Sequence, residues 1–455
     1  MSPPPILSKK TMIKTVYARG NSAALITIAL AMAVVMTPAQ VFAAPKAFTG
    51  ARILPVAGEP IEDGVFVIDA GKITAVGPRD RVRVPGGAEV IDVSGKVIIP
   101  GLVDTHSHIG EVSGGDASDP IQPETRVLDS INVRDAGFKR ALAGGVTTAN
   151  LMSGSGHLIS GQTIYVKLRE GNDIESIAYL REDGRVDGGL KMANGTNSHR
   201  DPPFPGTRAK SASLVRQKYI AAQEYMRKIE DADGDPEKLP ARDLALDALV
   251  EVLQGKRIVH HHTHRHDDVL TVLRLQKEFG YRVVLHHVSE AHRVAEEIAA
   301  AEVPVSLILV DSPGGKLEAM NLNFDSPRLL EAAGVKIAFH TDDWITDSRF
   351  FLRMAALGVR SGMSRDAALE ALTIEGARML DLDDRVGTLE PGKDADFAIL
   401  SGEPFSVYTR VLETWVEGNR RFDLADPEDR GIAEGGYGVL HPSTVHAFHG
   451  YEEGH

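Results

Sequence analysis

The chain of 455 residues contains no cysteine. That excludes disulfides, thiolate metal sites, iron–sulfur clusters and cysteine nucleophiles together. Any metal must be held by nitrogen and oxygen. There is no basic block: 50 lysines and arginines face 63 acids, a net charge of −13. Such a chain is a poor partner for nucleic acid or an anionic membrane. No internal repeat is present, which excludes a solenoid. The Gly-rich stretch Gly154-Ser-Gly-His-Leu-Ile lacks the Lys-Ser/Thr of a phosphate loop, and no Gly-x-Ser-x-Gly elbow surrounds Ser153.

What is present begins with an address. Residues 1–43 carry Lys9, Lys10, Lys14 and Arg19 and no acid, followed by an apolar run from Ala23 to Met36 and a small-residue site ending at Ala43. These are the three parts of a secretory signal peptide. The run is short for a membrane span of about 20 residues. The expectation is a cleaved signal, a periplasmic or secreted bacterial protein, and no stable membrane insertion afterwards. A retained anchor is the competing reading.

Short strands punctuated by Gly, Pro and Asp fill 46–98, and a similar turn–strand pattern recurs over 386–423 with a hairpin tip expected at Gly418-Asn419. Between them, over 99–385, apolar strands alternate with amphipathic helices, as in Val283-Val-Leu, Ala291–Ala301, Val303–Val310, Ser326–Ala333 and Val335–Phe339. That alternation predicts an α/β fold with a parallel sheet, open or closed into a barrel. Residues 424–455 read as a polar tail.

The chemistry lies at strand ends. Pro100-Gly-Leu-Val-Asp104-Thr-His106-Ser-His108 follows an apolar strand, and alternation puts His106 and His108 on one face. Alone, such a pair is weak evidence of a ligand set. Further histidines end other apolar strands: His260 to His266, His286-His287, and His340-Thr-Asp342-Asp343. In a parallel barrel the strand C-termini converge on one mouth. Within the fifth-strand run, His260, His262 and His264 share a face, which makes His261 the least suited to be a ligand. Each of the 17 histidines is individually more often surface or satisfied core; His199, His292 and those of the tail are read so. His157 is read in the same way, or, from its Gly-rich loop, as lining the mouth and contacting substrate. Asp104 reads as a hydrogen-bond partner of a ligand or as a turn residue. Arg265 either pairs with a substrate carboxylate or with Asp267 or Asp268.

Together with Val386-Gly-Thr-Leu-Glu-Pro-Gly-Lys-Asp-Ala-Asp396-Phe, these segments resemble the amidohydrolase superfamily. Gly144-Gly-Val-Thr-Thr-Ala-Asn, Gly154-Ser-Gly-His-Leu-Ile-Ser-Gly-Gln-Thr and Leu190-Lys-Met-Ala-Asn-Gly make the chain most similar to its imidazolonepropionase-related members. The resemblance runs from about Ala51 to Phe422. It implies a distorted (β/α)8 barrel over 99–385 and a small β-sandwich assembled from 46–98 and 386–423. It also implies a metal-dependent hydrolase of C–N bonds in a small linear or cyclic amide. His106, His108, His262, His287 and Asp342 match the family's metal ligands, and Asp342 matches its general base, with His287 a ligand or a water-positioning group. One or two divalent ions, zinc foremost, are expected. Lys191 is the leading candidate for a carboxylated bridging lysine and Lys167 the rival. His157, His264 and Arg265 are candidate substrate contacts. The partner expected is a small molecule, and a homo-oligomer is compatible. Alternatives are a prolidase-like dipeptidase or N-acyl-amino-acid hydrolase, and, in another class, a non-catalytic periplasmic binding barrel. Substrate choice is expected in the loops 109–135, 154–162, 193–210 and 311–325.

Overall fold

A computed structural model describes residues 44–110, 115–310, 316–343 and 345–436. The signal segment 1–43, and His441, His446, His449 and His455, lie outside the described residues. Among the described residues, no helix is long and apolar enough to cross a membrane.

Both ends of the chain share one sheet. The first five strands are β1 (Lys46–Ile53), β2 (Ile61–Asp69), β3 (Lys72–Pro78), β4 (Glu89–Asp92) and β5 (Val97–Pro100). The wall strands follow: β6 (Leu102–Ser107), β7 (Val146–Leu151), β8 (Ile159–Gln162), β9 (Ile164–Lys167), β10 (Leu190–Ala193), β11 (Val259–Thr263), β12 (Val283–His287), β13 (Val305–Leu307) and β14 (Ile337–Phe339). The chain closes with β15 (Phe397–Leu400), β16 (Val411–Val416) and β17 (Asn419–Asp423). The end sheet runs β17-β16-β15-β5-β1-β2-β3, with β4 beside β1. Antiparallel pairing of β5 with β15 joins the chain's start to its finish. Alternation along β2 sends Phe66 and Ile68 to one apolar cluster and Val65 and Val67 to another. In the first cluster Phe48 meets Phe397 and Trp415 edge to face, Phe66 meets Phe397 in the same way with ring centroids 4.9 Å apart, and Phe397 stacks on Trp415. Each such pair adds about 1 kcal/mol beyond its buried area.

The hairpin β16–β17 turns one residue earlier than the sequence pattern suggested. Val416 pairs with Asn419, and Glu417 and Gly418 form the two-residue loop with φ of 48° and 72°. Both loop residues must be left-handed in this turn, so glycine belongs at its second position.

The rest is a mixed α/β fold whose strands wind in the manner of a distorted (β/α)8 barrel. One sheet runs β14-β13-β12-β11-β10-β8 and another β6-β7-β9. Strands β10 to β14 are mutually parallel and buried throughout, with helices such as His266–Phe279 and Ser326–Ala332 in the connections. Only Thr163 separates β8 from β9, and its N–H donates to Gly189 O at 3.0 Å. At the opposite seam Asp342 N–H donates to His106 O (2.9 Å) and His108 N–H to Asp343 O (3.3 Å). One stave departs from the all-parallel expectation: β8 and β9 run antiparallel to β10 and β7. The link from β7 to β8 spans residues 152–158, too short for a parallel crossover, which takes a dozen residues or more.

The wall is tied to the end sheet by buried charge. Lys167 on β9 pairs with Asp394, with Asp396 (3.1 Å) and with Glu417 (3.5 Å). Asp394 also takes Lys72 (2.6 Å) and Arg385 (2.9 Å). The expected polar tail begins with order instead. Pro427–Glu434 is a helix capped by Asp426, and Arg349 Nη1 donates to Ile432 O at 3.0 Å and Gly435 O at 2.6 Å. Proline at the first turn and an aspartate cap are helix-start chemistry.

Candidate metal centre

Five strand ends bring the polar side chains together. β6 supplies His106 and, one step beyond, His108. β10 supplies Lys191 opposite His260 of β11, and His262 lies opposite His286 of β12. Beyond β14 come His340 and Asp342. His287, Val288 and Asp342 have φ of 69°, 38° and 49°. Left-handed backbone at such residues costs about 1–3 kcal/mol each and persists only where the surroundings enforce it. Here Val288 N–H donates to Thr263 O and Asp342 N–H to His106 O, both at 2.9 Å.

Asp342 sits at the heart of the arrangement. Its Oδ1 lies 2.9 Å from His108 Nε2 and 3.3 Å from His106 Nε2, and its Oδ2 lies 3.9 Å from His287 Nδ1. Lys191 Nζ is 3.1 Å from His106 Nε2. His340 Nε2 is 3.0 Å from His287 Nδ1, and its other nitrogen meets Ser306 Oγ at 2.7 Å. Ser306 in turn meets Thr105 Oγ1 at 2.6 Å, so the His340 ring is oriented from below. A deeper layer joins Tyr165 OH to His260 Nε2 and His260 Nδ1 to His286 Nε2, each at 3.0 Å. Asp104 fastens β6 to the segment after β14. It accepts from His106 N–H (3.2 Å), Thr341 N–H (3.1 Å) and the Thr341 hydroxyl.

Burial sets the electrostatics. It lowers His106, His262, His264, His286 and His287 well below the ordinary imidazole value, with neighbouring cations and imidazoles adding to it. His260 and His340 fall to about 3. All are therefore neutral at pH 7, the form that ligates metal. Burial pushes Asp342 up, but the His108 hydrogen bond, His340 and Lys191 outweigh it and hold the carboxyl at about 2. Burial lowers Lys191 to about 7 and raises Asp104 to about 7.

The donor set fits a divalent cation. His106, His108 and Asp342 offer ligand atoms within 4.8 Å of one another, and so do His106, His286 and His340. His106 Nδ1, His286 Nδ1 and His287 Nε2 are buried without a hydrogen-bond partner among the described residues. Leaving such groups unpaired is costly, and neutral imidazoles with one carboxylate suit zinc and its neighbours among the transition metals.

The structure gathers His106, His108, Asp342, His287 and Lys191 directly. His262 stands one layer out, its ring 4.4 Å from that of His287, with Nε2 3.1 Å from Lys316 Nζ. His264 stacks on His287 at 5.3 Å and bonds Ser289 through Nδ1. His261 Nδ1 bonds the carbonyl of His262. His157 is buried against Phe204, with ring centroids 5.5 Å apart.

The packing bears on two open choices. Arg265 takes the ion-pair alternative: its guanidinium grips Asp267 through two bonds of 3.0 and 2.9 Å at the start of the helix His266–Phe279. Lys167 is not a bridging lysine: Asp394 and Asp396 hold it away from the histidines as a charged ammonium. Burial alone would discharge it, but Asp396, Tyr179 and Asp394 prevail and raise its pKa. Sequence reasoning placed His286 and His340 at strand ends without giving them a role of their own, and it missed Ser306 and Lys316. His340 ends the apolar run Val335–Phe339, so its position was a signal. For the pair His286-His287 alternation offered one inward ring, whereas the left-handed turn at His287 breaks it and brings both adjacent rings inside.

Residues 253–422 match a family model described as "Amidohydrolase family". A solved amidohydrolase from Thermotoga maritima MSB8 is 32% identical, with 83% of this chain and 99% of that chain covered and a TM-score of 0.76. Amidohydrolase tasK of Hapsidospora irregularis is 26% identical over 391 residues, 79% of this chain but only 40% of that protein's length. Imidazolonepropionase of Rhizobium rhizogenes is 26% identical over 392 residues, 78% of this chain and 91% of that enzyme. Fold, converging imidazoles and relatives define a metal-dependent hydrolase acting on C–N bonds. The chain belongs to the amidohydrolase superfamily, as an imidazolonepropionase-like member.

Proposed function

We propose that the chain hydrolyses the C–N bond of a small linear or cyclic amide, with Asp342 as general base. The observation that carries this reading is the Asp342 carboxylate, 2.9 Å from His108 Nε2 at the convergence of the strand ends. His106, His108, His262, His287 and Asp342 would hold the ion, and zinc suits that set best. Bound there, it supplies Lewis acidity toward water and the amide carbonyl. Asp342, ionised at any working pH, takes a proton from the attacking water and passes it to the leaving nitrogen. The neutral imidazoles orient the water, and Asp104 fixes the spacing of the two segments that carry His106 and Asp342. Asp342→Asn is expected to lower kcat/KM about 1,000-fold. Elemental analysis of the same sample should find a smaller loss of metal than of activity. Near-normal turnover in this variant would remove Asp342 from the role.

Lys191 favours a second reading. An amine buried beside His106 with a pKa of about 7 is largely uncharged at mild alkaline pH, the state that adds carbon dioxide to form a carbamate. A lysine carbamate bridging two ions would point to dipeptides or N-acyl amino acids as substrates. Two metals per chain, falling to one or none in Lys191→Ala, are expected on this reading. One metal, unchanged by the substitution, would restrict the chain to a single-ion site. We also propose export, supported by the charged, apolar and small-residue parts of residues 1–43; cell fractionation that finds the protein only in the cytoplasm would overturn it.

A further inference from the structure

The loop after β13 delivers a cation to the mouth. Lys316 Nζ touches two uncharged groups, His262 Nε2 at 3.1 Å and the Asn197 side-chain carbonyl. Asn197 belongs to the loop after β10. Burial lowers Lys316 to about 8, while the Glu318 and Asp342 carboxylates favour its charged form; both carboxylates are committed elsewhere. Asp342 faces His106 and His108. Glu318 accepts from Thr196 N–H at 2.9 Å, Thr196 Oγ1 at 2.8 Å and Arg208 Nη2 at 3.0 Å.

That second commitment makes the lysine a fixed feature. Glu318 is 7% exposed and pins the backbone two residues from Lys316 onto the loop 195–198. The pin needs a glycine: a Cβ at Gly195, where φ is +69°, would lie 2.1 Å from Glu318 Oε1. Arg208 also grips Asp268 at 2.9 Å, so the clamp reaches the helix that follows β11. Lys316 is thus held next to a candidate ligand histidine, partly exposed to the mouth, with no carboxylate paired to it among the described residues.

We propose that Lys316, assisted by the Asn197 amide, anchors a carboxylate of the substrate, so that the preferred amides are those of amino acids or peptides with a free acid. The assignment rests on the amide-hydrolase reading above. It gives Lys316 the role the sequence suggested for Arg265. Lysine acts here as a point charge on a flexible stem, which tolerates carboxylates at slightly different depths.

The test uses metal-loaded full-length protein and pairs of N-acetyl amino acids and dipeptides, each with its C-terminal carboxamide. Wild type is expected to prefer the acid of each pair. In Lys316→Met the ratio of acid to carboxamide kcat/KM should fall about 100-fold, mostly through KM, and Lys316→Arg should restore part of it. An unchanged ratio in Lys316→Met, or a wild-type preference for carboxamides, overturns the proposal. A purely structural lysine would lower both members of a pair together. If no amide turns over, the hydrolase reading fails separately, and the same pairs are titrated by calorimetry. Acid binding lost in Lys316→Met then supports the anchor, and acid binding equal in both proteins or absent from wild type overturns it.

Discussion

Lys167 and Lys191 stand on successive strands of the same wall, both almost fully buried, and the structure gives them opposite characters. Lys167 lies among Asp394, Asp396 and Glu417, which keep it charged. Lys191 lies among imidazoles, with His106 Nε2 at 3.1 Å, and burial brings it to about 7. Burial of a lysine therefore says little about function; the charge of its neighbours decides. One lysine is a bolt between two layers of the fold. The other is an amine that burial leaves ready to lose its charge near neutral pH.

Breaking the bolt should have the larger effect. Lys167→Met leaves Asp394 and Asp396 facing each other in a buried space, and removing one partner of a buried pair costs about 3–5 kcal/mol. Chemical denaturation of the metal-free protein measures it; a loss below about 1 kcal/mol would mean that water or Arg385 compensates. The opposite experiment sharpens the contrast. For Lys191 the folded pKa of about 7 lies below the ordinary 10.5, so between these values the unfolded chain binds the extra proton. Stability of the metal-free protein should rise with pH across that window, and Lys191→Met should abolish the slope. Asp394, held at about 2 against an ordinary 3.8, has the usual acid behaviour: its contribution is present above 3.8 and lost as pH falls toward 2. The smallest effect is expected at Arg265. Its pair with Asp267 is about half exposed, worth at most about 1 kcal/mol, and Arg265→Ala should leave kcat/KM within about twofold of wild type.

The same two lysines mark how far the sequence could be read. Ile164-Tyr-Val-Lys and Gly189-Leu-Lys-Met look alike locally, because what separates them is distant: Asp394 lies 227 residues from Lys167 along the chain. Features set by short-range pattern were legible. The alternation that puts His106 and His108 on one face, the apolar strands of the wall and the turn-rich chain ends all follow from neighbouring residues. The antiparallel stave was hidden in a link too short for a crossover. The double inward turn at His286 and His287 needs a left-handed φ at a residue that seldom adopts one. Lys316 had no local signal, since its position depends on Glu318 finding Gly195 and Thr196. Arg265 was ambiguous although the pair that claims it lies two residues away.

The Asp104 bridge carries a consequence for how the molecule comes into being. It links the first wall strand to Thr341, 237 residues later, and the ligand atoms of His106 and Asp342 meet only when that bridge forms. Contacts of such sequence separation form late, because the closure entropy of the intervening chain opposes them until most of it is folded. A nascent chain that has displayed only its first histidines has no centre to offer an ion. An ion held there would therefore be drawn from what is available where folding finishes.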